Sequence, residues 1–228
     1  MDIQQRITAV TEAIFLVVAT LFPILNPLGN AAIFLNMVGG IDLKLHSALC
    51  KKIAIYSFVL LVCSLLWGGK ILTFFGISIY AVQIGGGLVV AATGWTLLQR
   101  EQSQAPAKAV SQEEILQHAF YPYTLPLTVG PGTISVAVTL GAHLPAELHA
   151  SSYLSPRVLI SAMIGSAISC FIIYICYRYA TAAERLLGSS GTTVVMRLSS
   201  FILMCIGVQI ICTGLKAYLE NVSIRMFQ

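Results

Sequence analysis

Six long apolar stretches alternate with short polar connections along the chain. They run over residues 13–38, 53–75, 79–98, 119–142, 158–180 and 198–219. Each meets the length of about 20 mainly apolar residues that a helix needs to cross a bilayer. The one extended polar stretch, 99–118, contains Pro106 and divides the chain near its middle. The pattern therefore predicts an all-α integral membrane protein with six transmembrane helices. Residues 1–98 form a first three-helix repeat, 99–118 a polar linker and 119–228 a second three-helix repeat. Three spans per half turn the second half upside down relative to the first. Such inverted repeats are the architecture of many secondary transporters.

The halves resemble each other where it matters most. Phe22-Pro23-Ile24-Leu25-Asn26-Pro27-Leu28-Gly29-Asn30 stands in the first span, and Leu125-Pro126-Leu127-Thr128-Val129-Gly130-Pro131-Gly132-Thr133 in the fourth. Superposing Pro23 on Pro126 brings Gly29 onto Gly132. Spans three and six also match, Gly87 over Gly207 and Thr93-Gly94 over Thr213-Gly214. A proline inside a helix removes one backbone hydrogen bond and clashes with the preceding turn. Two prolines with nearby glycine predict that spans one and four are interrupted at mid-membrane. Unpaired backbone groups at that depth are tolerated only when buried in protein or lining a wet cavity. A lone proline usually makes only a kink, but breaks recurring in corresponding spans point to a transporter's binding site.

Composition supports the membrane reading and narrows the chemistry. Of 228 residues, 57% are hydrophobic and only 10% charged, against about 25% charged in ordinary soluble domains. No basic tract offers a track for nucleic acid. The first apolar stretch reads as a retained span, having a weak n-region and no small-residue cleavage site. Lys44, Lys51, Lys52, Arg100, Lys108, Arg178, Arg185 and Arg197 fall on one side of the predicted topology. Arg6, Lys70, Arg157, Lys216 and Arg225 fall on the other. The excess on the first side predicts that both termini lie outside the cytoplasm. Five of the six cysteines sit in apolar runs with no C-x-x-C pair, which reads as small buried side chains and not as a metal site.

The candidate site follows from the exposed ends of broken helices. Half-helix N-termini present N–H groups and partial positive charge suited to a carboxylate. Half-helix C-termini present carbonyls suited to an ammonium group or small cation. The substrate-binding candidates are Asn26, Pro27, Gly29, Asn30, Thr128, Gly130, Pro131, Gly132, Thr133 and Ser135, with Gln83 and Gln209 as secondary polar contacts. For the last two, hydrogen bonding between helices is the plainer account. Gly85-Gly86-Gly87 reads as a close helix contact. No Asp, Glu, Lys, Arg or His falls in the central part of any span, and the four histidines sit in or beside connections. Recognition by dipoles alone suits a small zwitterion better than a strongly charged ligand.

The two interrupted segments resemble the MarC family of six-span membrane proteins. So do Phe75-Gly76-Ile77-Ser78-Ile79, Ile84-Gly85-Gly86-Gly87-Leu88-Val89-Val90-Ala91, and Arg197-Leu198 with Gly207-Val208-Gln209. The likeness covers essentially the whole chain. Ala32 departs from it, standing where a second proline often follows the first motif. The resemblance implies a bacterial inner-membrane protein of the broad amino-acid exporter (LysE-like) superfamily, some members of which are classed as transporters of glycine, alanine and similar small neutral amino acids.

Three classes of function remain open at this point. A secondary transporter of small neutral amino acids leads, working by alternating access around a midplane site. Efflux of other small metabolites or drugs, or a non-transporting scaffold or regulatory role, are the alternatives. An enzyme is not expected: no span holds a histidine to activate a serine, and no aspartate pair or zinc motif is found. No cofactor motif is found either, which leaves sodium or a proton as the coupling ion. The expected partners are a small zwitterionic substrate and the lipid bilayer, with self-association into a homo-oligomer open.

Overall fold

The structure, a computed structural model, describes residues 3–38, 41–99, 112–148 and 155–226. The described residues are almost entirely helical. They form α1 (Ile3–Leu25), α2 (Pro27–Val38), α3 (Leu43–Phe74), α4 (Ile79–Gln99), α5 (Gln112–Gln117), an irregular wound segment Ala119–Thr128, α6 (Pro131–Glu147), α7 (Pro156–Arg178) and α8 (Ala180–Met226). Five helices are long and apolar enough to cross a membrane. A sixth span results when Ala119–Thr128 and α6, bent by 67° at their junction, count together. Most of the expected linker, including Arg100, Pro106 and Lys108, lies outside the described residues.

Both expected interruptions are present. α1 stops at Leu25 and α2 restarts at Pro27; the irregular segment stops at Thr128 and α6 restarts at Pro131. Proline at the first position of a helix loses nothing, because its N–H would have no partner there. Within Ala119–Thr128, Tyr121 and Leu125 take extended backbone angles, and the peptide bonds before Pro122 and Pro126 are cis.

Several helices extend past the hydropathy reading, α1 beginning at Ile3 and α6 ending at Glu147, and two of the differences have a plain cause. α3 begins at Leu43, not near residue 53, because it carries a buried stripe at Leu45, Leu49, Ile53, Ser57, Leu61 and Leu65. That four-residue spacing keeps one face against the bundle, while Lys44, Lys51 and Lys52 stay exposed on the other faces. The polar face lowers the hydropathy of the first turns without ending the helix. α8 likewise begins at Ala180, ahead of the apolar run, and is kinked at Gly188, whose φ of 69° suits glycine.

Packing joins the halves to each other more than it joins neighbours within a half. The closest association is α4 on α8, and α3 packs on α6 and α7 while α1 packs on α7. The main pairings have counterparts under exchange of the halves: α4 on α6 mirrors α8 on α2, α3 on α6 mirrors α7 on α2, and α3 on the irregular segment mirrors α7 on α1. The α4–α8 seam shows the relation residue by residue. Gly94 stands against Met204 and Ser200, and Gly214 against Ile84 and Tyr80. Gly87 meets Ile211, and Gly207 meets Ala91. Higher numbers on one helix meet lower numbers on the other, so the helices run antiparallel about a two-fold axis near Gly87 and Gly207. That is the inversion expected of three-span halves.

Candidate functional site

At the first break the chain turns on Asn26, which has a φ of 43°. This left-handed region disfavours most side chains and tolerates asparagine best. The Asn26 N–H donates to the Pro23 carbonyl at 3.2 Å, and its Oδ1 accepts from the Gly29 N–H at 3.3 Å. Its Nδ2 is buried without a hydrogen-bond partner. A Cβ on Gly29 would stand 2.5 Å from that Nδ2, so a side chain there would push the Asn26 amide off its bond to the Gly29 N–H.

The second break lacks an equivalent cap. Val129 occupies the place of Asn26, and Gly130, extended at φ −81° and ψ 172°, precedes Pro131 with no side chain bonded to the helix end. The N–H groups of Gly132 and Thr133 therefore have no intrahelical acceptor. Gly132 lies against α4, where a Cβ would meet Val90 Cγ2 at 2.5 Å and the Gly86 carbonyl at 3.4 Å. One turn on, Ser135 Oγ donates to the Val82 carbonyl at 2.7 Å in space left by the missing side chain of Gly86.

Asn30 ties the two breaks together. Its Nδ2 donates to the Leu25 carbonyl at the end of α1 and to the Leu127 carbonyl at the end of the irregular segment, each at 2.9 Å. Both partners are acceptors only, which fixes the orientation of the amide. Two carbonyls, one from each half of the chain, thus converge on a single buried nitrogen.

The sequence-derived residues fall into place accordingly. Asn26, Pro27, Gly29 and Asn30 are buried at the first break, and Thr128, Gly132 and Thr133 are buried at the second. Gly130 is half-buried and Pro131 exposed. Gln83 stands on the α4–α8 seam, its Cβ 2.9 Å from where a Cβ of Gly214 would be. Gln209 is exposed.

Sequence reasoning missed an aromatic cluster behind the second break. The Thr128 hydroxyl donates to the Tyr123 carbonyl at 2.7 Å and lies 2.9 Å from the Tyr177 hydroxyl. Tyr177, fully buried, stacks on Phe34 of α2 with ring centroids 4.6 Å apart. Phe34 also meets Tyr123 edge-on at 5.8 Å and His46 of α3 at 5.6 Å. Tyr177 ends a span beside Arg178, where an aromatic residue reads as an interface anchor, so nothing local marks it as buried. Tyr177→Phe keeps the ring stack and deletes the hydroxyl contact. It is expected to cost about 1 kcal/mol of stability; Thr128→Val, which also deletes the bond to the Tyr123 carbonyl, is expected to cost more, and the double variant to lose less than the sum of the two. Thermal unfolding in detergent checks this, and fully additive losses would show the contact to be idle.

These elements define a multi-spanning integral membrane protein whose inverted halves meet at two broken helices. The profile of the MarC family integral membrane protein matches residues 11–219, and the chain belongs to that family. The inner membrane protein MarC of Salmonella typhimurium is 29% identical over 217 residues, covering 92% of this chain and 97% of the relative. The protein of the same name from Escherichia coli is 28% identical over 221 residues, with the same coverage. The Citrobacter koseri protein is 29% identical over 218 residues. The chain is thus a multi-pass inner-membrane protein. No solved structure matches it.

Proposed function

We propose that this protein is a secondary transporter of small neutral amino acids of the glycine and alanine type, with its site between the two helix breaks. The observation that carries the reading is the convergence of the Leu25 and Leu127 carbonyls on the Asn30 amide nitrogen. That nitrogen stands in for a substrate ammonium group, which would take up the same pair of carbonyls when Asn30 swings aside. The uncapped start of α6 at Gly132 and Thr133 supplies N–H groups for the carboxylate of the same molecule. Because the carbonyl pair draws on both halves, bringing them together or apart makes or unmakes the site. This is the requirement of alternating access.

Exchange of labelled glycine and alanine by the purified protein in liposomes tests the proposal. Uptake above empty liposomes is expected, and loss of uptake in Gly132→Leu, with folding verified by thermal unfolding. Folded wild-type protein that exchanges neither amino acid would defeat the assignment.

A further inference from the structure

His46 is a buried titratable side chain that the site described above does not use. It sits in the first turns of α3, 7% exposed, with its Nε2 buried and unpartnered. Its Nδ1 faces the Cys50 sulfur at 3.9 Å, and its ring lies against Phe34. We propose that His46 is a proton-binding site that operates α2 as a latch: neutral, its ring holds Phe34 of the half-helix in place beside Tyr177 of α7; protonated, it releases it.

The geometry supplies both states. A neutral ring completes the cage of His46, Tyr123 and Tyr177 around Phe34, the one large aromatic anchor on α2. Protonation makes both ring nitrogens donors. Whichever nitrogen carries the proton in the neutral ring, the charged ring has an Nε2–H with no acceptor and an Nδ1–H facing only the Cys50 sulfur, and a charge has been placed where water is excluded. Among the described side chains, no carboxylate pairs with it. On α3 itself, Cys50 lies one turn on, and the Asp42 side chain is exposed at the helix start. α7 presents Tyr177 and the like-charged Arg178, which acts on His46 electrostatically. The irregular segment presents Tyr123, and α2 has no titratable residue. α5, which also packs on α3, carries Glu113 and Glu114. α6 meets α3 well away from His46, around Leu65 and Gly68. A charged ring is relieved when α2 withdraws and water enters.

Movement of α2 reaches the breaks directly, since α2 carries Asn30 and hence the bond to Leu127. Its link to transport rests on the function proposed above, whereas the latch itself does not.

Hydrogen exchange of the purified protein, corrected for the intrinsic rate, separates the two. Lowering pH from about 8 to about 5 spans the range in which histidine gains its proton. Amides of α2 in the wild type are expected to exchange about tenfold faster at the acid end. His46→Phe, which keeps a neutral ring against Phe34, is expected to stay protected throughout, and His46→Arg to exchange fast throughout. A His46→Phe protein that keeps the wild-type pH response overturns the proposal, as does a wild type with no response. Labelled-alanine exchange in liposomes, at equal pH on both sides, follows the same order if both proposals hold. A pH-dependent latch without alanine exchange would preserve the proton site and remove the transporter reading.

Discussion

Gly87→Ala is expected to lower stability by about 2–3 kcal/mol, and Gly85→Ala, two residues away, to leave it unchanged or improve it by up to about 1 kcal/mol. The three consecutive glycines of α4 differ only in what they face. A Cβ on Gly87 would stand 2.8 Å from the Gly207 carbonyl and 2.9 Å from the Ile211 N. Both are backbone atoms that can move only if the whole of α8 moves. On Gly86 it would run into Ser135, a side chain already bonded to Val82. On Gly85 it meets nothing within 4 Å, so alanine there brings only its better helix propensity. The same close approach recurs along the seam, where a Cβ on Gly94 would stand 2.5 Å from the Met204 N. Gly207→Ala, meeting the backbone of Ala91, is expected to match Gly87→Ala. The shifts read as roughly 5–10 °C in the unfolding midpoint for the damaging variants. Equal midpoints for Gly85→Ala and Gly87→Ala would show that the α4–α8 seam is not packed as described.

That seam and both breaks were legible because membrane helices write their exceptions locally. Proline with glycine inside an apolar run has few structural meanings, and its recurrence at matched places in the halves narrows them further. Glycines repeating at Gly87 and Gly94, then at Gly207 and Gly214, carry the close contact in the same way. What stayed hidden depends on partners distant in sequence. Asn30 is visible as a polar residue near a break, but nothing near it announces a bond to Leu127. The cage of Phe34, His46, Tyr123 and Tyr177 draws one residue from each of four elements, each plain in its own context. His46 in particular falls beside a connection and between lysines, where hydropathy places a solvated residue. Only the helical stripe from Leu45 to Leu65, continued from the core, turns its ring inward. The difference between the breaks, a capping asparagine in one and valine in the other, was written in the sequence. It gains meaning once both half-helix starts are seen.

Asn30→Ala is the variant that most sharply tests what the converging carbonyls are for. Removing the amide leaves the Leu25 and Leu127 carbonyls without their shared donor, and each buried unsatisfied group costs about 1–3 kcal/mol. A loss of about 2–4 kcal/mol in stability is therefore expected, the lower end applying where water enters the space. If the amide is only a brace, the loss is permanent, and amino acids do not change it. If it stands in for a substrate ammonium, the vacated place is one that glycine or alanine can fill without first displacing Asn30. The variant then begins less stable than the wild type and gains more from added alanine, since a ligand stabilises in proportion to the logarithm of its concentration over its dissociation constant. Asn30→Asp separates charge from shape. An ionised carboxylate has no donor for either carbonyl, so basal stability falls, yet its negative charge would still attract an ammonium group. Thermal unfolding across an alanine titration reads all three proteins. A larger alanine-dependent rise in Asn30→Ala than in the wild type supports the ammonium site. A low midpoint insensitive to any amino acid leaves Asn30 as a strut between the halves, and moves the substrate elsewhere.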